Sequence, residues 1–191
     1  MLLSLIISAC SKTEQSQTVP AYGRTEIDKQ AISQILGTTN KENQKTMYRA
    51  LNHFEKNHIW QQKFDNYRSN MELTQEQDEF IKFVTNQLSP QLFEKGSAAA
   101  LQLNEKEIRE KAINLFGVNE AAFIFADLAL VSNDDPSSLM AVGCKCSTRS
   151  DWCATYMNCR LLEPCEPQDG CGFLWQSRCN GMCSIFGEEP F

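Results

Sequence analysis

Between Ser11 and Gly143 the chain has no cysteine, although its 191 residues include nine. Histidine is nearly missing too, with only His53 and His58. Positive charge is in deficit, at 18 Lys+Arg against 24 Asp+Glu, for a net charge of -6. Each shortage excludes something. Phosphate binding rests on clustered Lys and Arg, so an acidic chain is not expected to take nucleic acid as a partner. No apolar run reaches the roughly 20 residues that cross a bilayer. The sequence holds no GxSxG, no HExxH and no phosphate-cradling glycine loop. His53 and His58 lie five apart, off a common helical face, and do not read as metal ligands. Neither an enzyme nor a bound cofactor is expected.

What is present begins with an apolar content of 42%, enough for a core. Leu2–Ala9 forms a short apolar run that ends at Cys10 and turns polar at Ser11. Ile7-Ser8-Ala9-Cys10 reads as a lipobox at the end of a secretory segment. The expectation is a lipoprotein-type signal over 1–10, with Cys10 as the lipid attachment site and the membrane as a partner through that lipid. Residues 11–24 are polar, broken by Pro20 and Gly23, and suit a tether.

Residues 25–131 predict an all-α domain of five or six helices. Met47, Ala50, Leu51 and Phe54 are spaced for one helical face, and Ile59, Trp60, Phe64 and Tyr67 for another. Thr74 with Gln77 forms a capping-box pattern. Ser89-Pro90 reads as an N-cap followed by proline at the first helical position. Asn104 with Glu107 opens a further helix that Gly117 ends, and Asn119 starts the last, running through the apolar stretch to Val131.

Residues 132–143, with Asn133-Asp134-Asp135-Pro136, read as a linker and a region open to cleavage. The other eight cysteines follow in a disulfide-rich module over 144–191: Cys144, Cys146, Cys153, Cys159, Cys165, Cys171, Cys179 and Cys183. Zinc knuckles want C-x2-C pairs and redox sites want C-x-x-C; the spacing offers neither. An even count in a short exported segment predicts four disulfides, which a piece this small needs in place of a large core. Eight cysteines permit 105 pairings. A Cys144–Cys146 bridge is strained, because alternate residues of an extended chain point to opposite faces; the sequence does not choose among the rest. Ser150 or Asp151 is placed to cap a short helix carrying Trp152, Cys153, Tyr156 and Met157. Glu166–Gly170 reads as a turn, and Asn180-Gly181 as a hairpin turn between Phe173–Cys179 and Met182–Phe186.

The string from Cys144 to Cys153 (CKCSTRSDWC), then Cys159, Cys165, Gly170, Cys171, Gly172 and Trp175, resembles the disulfide-rich bacteriocins related to fulvocin C. The likeness covers about 40 of 191 residues, and C-x-C-S-T-x-S-D-aromatic-C is its specific part. It implies an antibacterial peptide held by four disulfides. The expected function is therefore an exported precursor whose module is released and docks a specific target, with an immunity protein as a further partner. The alternative is a non-toxic surface lipoprotein whose module binds a partner. Within 144–183, Lys145, Arg149, Arg160 and Arg178 are matched by Asp151, Glu163, Glu166 and Asp169. A neutral module gains no attraction to anionic lipid, so Trp152, Tyr156, Phe173 and Trp175 are the candidates for contacting a target-cell surface protein.

Overall fold

The computed structural model describes residues 26–94, 104–130, 144–154, 156–161 and 165–185. The lipobox with Cys10, the tether and the linker lie outside them. Six α-helices come first: α1 Lys29–Gly37, α2 Lys41–Ala50, α3 His53–Asn70, α4 Gln75–Gln87, α5 Glu105–Phe116 and α6 Val118–Ala126. Local chemistry sets most of their ends. Asp28 caps α1, accepting from the N–H groups of Gln30 and Ala31. Reciprocal capping boxes start α3 (Asn52 with Glu55) and α4 (Thr74 with Gln77). Asn104 caps α5, and Gly117, at φ 78°, divides it from α6.

Three expectations shift here. The face drawn through Met47, Ala50, Leu51 and Phe54 is split, because α2 stops at Ala50 and Asn52 is spent capping α3. Ser89-Pro90 opens only a 3-10 turn, Pro90–Phe93. The last helix ends at Ala126, where Asp127 turns its carboxylate to the Ala129 N–H and the Lys41 ammonium. Ile59, Trp60, Phe64 and Tyr67 do share a buried face of α3, around which Ile32, Ile35, Ile81, Val84, Ile124 and Phe125 close.

The cysteine-rich region carries short strands and four disulfides. Strand β1 (Met157–Leu161) pairs antiparallel with β4 (Gly181–Ile185), and β2 (Gln168–Cys171) with β3 (Ser177–Cys179). The bridges are Cys144–Cys165, Cys146–Cys159, Cys153–Cys183 and Cys171–Cys179, with Cα–Cα separations of 5.1 to 5.7 Å. All four stay inside this region.

A short helix and a hairpin both exist, at other residues than expected. The stretch after Ser150 is not helical. Asp151 accepts from the N–H groups of Cys153 and Cys159, which ties a turn to β1, and Tyr156 stands at φ 66°. The helix is the 3-10 turn Phe173–Trp175. The hairpin is β2–β3, with that turn as its tip, so Gln168–Gly170 are strand with a bulge rather than a loop. Asn180-Gly181 passes the chain from one strand pair to the other. Their N–H groups both donate to the Cys146 carbonyl, and Asn180 also bonds Thr148. Gly181 lies so near Arg160 that a Cβ there would be 2.2 Å from its carbonyl oxygen.

Candidate functional site

The boundary that cysteine content draws is absent from the packing. Trp152, Phe173, Leu174 and Trp175 are buried in one apolar core with the helical residues, and their seat on the helices is the best-built feature of the molecule. It starts at the β2–β3 tip, which the Cys171–Cys179 bridge closes. Gly172, Leu174 and Trp175 stand at φ 72°, 51° and 54°, and each non-glycine residue held so costs about 1–2 kcal/mol. Burial offsets that: Phe173, Leu174 and Trp175 are 5%, 0% and 3% exposed. Withdrawing a large apolar side chain from water is worth roughly 1.5–3 kcal/mol.

Polar groups fix the tip from both sides. The Phe173 N–H donates to Ser150 Oγ at 2.7 Å, and the Ser150 hydroxyl donates to Glu105 Oε1 on α5. Trp152 Nε1–H reaches the same carboxylate oxygen at 3.2 Å. A Cβ on Gly172 would fall 2.2 Å from Ser150 Oγ, so the serine occupies the space that glycine leaves.

Aromatic contacts carry the tip into the helices. Trp175 meets Tyr48 edge-on at 5.2 Å and Trp60 at 6.4 Å, geometry that the ring quadrupoles favour. Trp175 Nε1–H donates to the Ala126 carbonyl at 2.8 Å. The Tyr48 hydroxyl donates to the Leu174 carbonyl at 3.2 Å and accepts from Trp60 Nε1 at 3.1 Å. Burial pushes the Tyr48 phenol well above its ordinary pKa. Trp152 stacks on Phe173 at 5.9 Å, and both lie against Phe125 of α6.

Charged groups from α2 line the rim. Arg49 donates to the Asp169 carbonyl at 2.9 Å and to Gln168 Oε1 at 2.8 Å. Lys45 is 3% exposed, with its stem against Gly170 and its Nζ 3.8 Å from both Cys171 Sγ and Cys179 Sγ. Burial lowers its pKa to about 8, against the pull of Glu42. For Asp127, burial works to raise the carboxyl, yet Lys41 at 2.7 Å and the Ala129 N–H outweigh it and hold the pKa below the ordinary range.

Of the four candidate contact residues, Trp152, Phe173 and Trp175 thus face the helices, at 9% exposure or less, while Tyr156 is 79% exposed; Leu161 and Ile185, at opposite ends of the β1–β4 pair, are exposed too. All eight cysteines of the module are paired, and Cys10 is outside the described residues. The sulfurs of Cys146, Cys153 and Cys159 lie within 4.8 Å of one another. That reflects two neighbouring bridges; bonded to sulfur, these atoms are not thiolate ligands.

Sequence reasoning missed Leu174, Ser150 as a joint, Glu105 as its acceptor and Lys45 as a buried lysine. Leu174 carried one signal, being the middle of an apolar triplet after Cys-Gly. Lys45 carried none, since α2 is polar over most of its length. Four disulfides suggest an exported or extracellular protein. Among the described residues no helix is long and apolar enough to cross a membrane. No family model, no curated protein and no solved structure gives a significant match to the chain.

Proposed function

We propose that the chain is an exported, bacteriocin-like antibacterial precursor, tethered by lipid at Cys10, whose helical domain covers the working face of its module. The supporting observation is which side chains are covered. The aromatics best suited to dock a target, Trp152, Phe173 and Trp175, are those that the helices bury. Their cover comes from residues 26–130, and the expected cleavage region 132–143 lies between cover and module. Cutting there breaks the only covalent link between the two, because no disulfide joins them. The uncut chain is then silent, and the module acts once its face is free.

The same contacts favour one other reading. A core shared this fully also suits an exported surface lipoprotein that is never cut, whose exposed Tyr156 side meets a partner while the helices serve as its stem. Intact masses in the membrane and culture-fluid fractions of a lipoprotein-processing bacterial host separate the two. The precursor reading expects a peptide beginning between residues 132 and 144, about 8 Da lighter than after reduction, that kills susceptible bacteria. Full-length chain confined to the membrane, with no such peptide, would falsify it and leave the uncut reading.

A further inference from the structure

The helices treat the module as a partner. Its attachment runs through side chains and hydrogen bonds alone: the Phe173-Leu174-Trp175 tip between Tyr48, Trp60 and Phe125, with Glu105 holding Ser150 and Trp152 at one side and Arg49 holding Gln168 and Asp169 at the other. The module has a covalent frame of its own, since both cysteines of every bridge lie between 144 and 183. A backbone cross-linked by its own bridges has less ordering left to do at the seat than an open chain would, which favours rebinding. The contact also has the anatomy of a protein–protein interface: buried aromatic anchors at the centre, with charged and amide groups around them.

We infer that the helical domain is a capture surface for free copies of the module. It retains its own module after the join is cut and takes up modules freed from other copies, so that a cell carrying the cut domain on its envelope is shielded from the peptide it makes. This rests on the precursor reading for its biological sense, though not for its measurement.

The test uses the full chain, oxidised, with a protease recognition sequence replacing residues 133–138. Unlabelled and nitrogen-15-labelled proteins are cut separately, mixed, and followed by native mass spectrometry. Particles pairing an unlabelled helical piece with a labelled module are expected, rising toward the statistical share. Tyr48→Phe, which removes the hydroxyl shared by Leu174 and Trp60 and keeps the ring, should weaken retention at least several-fold. Arg49→Ala, at the exposed rim, should change it less. Pieces that separate on cutting while each keeps its circular dichroism overturn the inference, as do pieces that stay together and never mix. A cut peptide that kills, with no mixed particles, removes the inference and spares the precursor reading. Mixed particles without any cutting in the host do the reverse.

Discussion

The indole N–H of Trp175 donates to the carbonyl of Ala126, 49 residues earlier, at 2.8 Å. Ala126 is the last residue of α6, where carbonyls have no partner within their own helix. The cysteine-rich region therefore completes the helix end as well as the core.

Trp175→Ala removes that bond, two ring contacts and a buried indole together. A loss of about 3–5 kcal/mol is expected from denaturant unfolding followed by far-ultraviolet dichroism of the helices. Tyr48→Phe strands the Leu174 carbonyl and the Trp60 indole N–H and should cost roughly 1–3 kcal/mol. If Trp175→Ala leaves the helical transition where it was, the two regions do not share a core.

Ser150 accepts from Phe173 and donates to Glu105, so Ser150→Ala strands a buried N–H and should cost roughly 1–3 kcal/mol. Gly172→Ala should cost more, because it meets Ser150 at 2.2 Å and also forces a side chain into the left-handed region. The order of the two midpoints is the check; the reverse order contradicts the geometry.

Lys45 and Lys63 each have a pKa lowered to about 8 by burial, while an exposed lysine titrates near 10.5. Between those values the unfolded chain holds more protons than the folded one, so stability rises with pH across that window; below about 8 the penalty is complete and constant. The full effect is of order 3 kcal/mol per lysine. Thermal unfolding from pH 7 to 10 should show the rise, and Lys45→Met should flatten it. A midpoint that falls steadily over that range counts against the burial of both ammonium groups.

Replacing Cys171 and Cys179 together by serine opens the smallest loop, with a sequence separation of 8. The chain-entropy cost is about 2–3 kcal/mol, less than for Cys153–Cys183 with its separation of 30. Yet the Cys171–Cys179 pair should do more to the near-ultraviolet tryptophan dichroism, because its bridge closes the tip that carries Trp175. Peptide mapping of the oxidised chain checks the pairing itself.

The helices were readable where their ends are set by neighbours in sequence. Thr74 with Gln77, Asn104 with Glu107, and Gly117 each act within one turn, and the structure uses all three as expected. The four bridges were readable as a count, because parity and compartment decide it without geometry. Their partners were not, since each is chosen by the folded path of the chain. Asn180-Gly181 misled for a related reason. It has hairpin chemistry, but its N–H groups go to Cys146, 34 and 35 residues back. Trp152, Phe173 and Trp175 suit target contact only in a module of 40 residues that stands alone. Their burial depends on Tyr48, Trp60 and Phe125, and no local pattern joins residues more than a hundred positions apart, as Tyr48 and Leu174 are.

The distance between those two residues also sets an order of events. Synthesis runs from the amino terminus, so every helical residue is made before the first cysteine of the module. Until the tip arrives, the places that Phe173 and Trp175 take against Phe125, Tyr48 and Trp60 have no occupant, and the Ala126 carbonyl lacks its indole donor. Completion of the helical core thus depends on a part of the chain that the Cys171–Cys179 bridge holds in shape. In a compartment too reducing to close Cys171–Cys179, the helical domain should persist with those places exposed, the state that proteases and chaperones recognise.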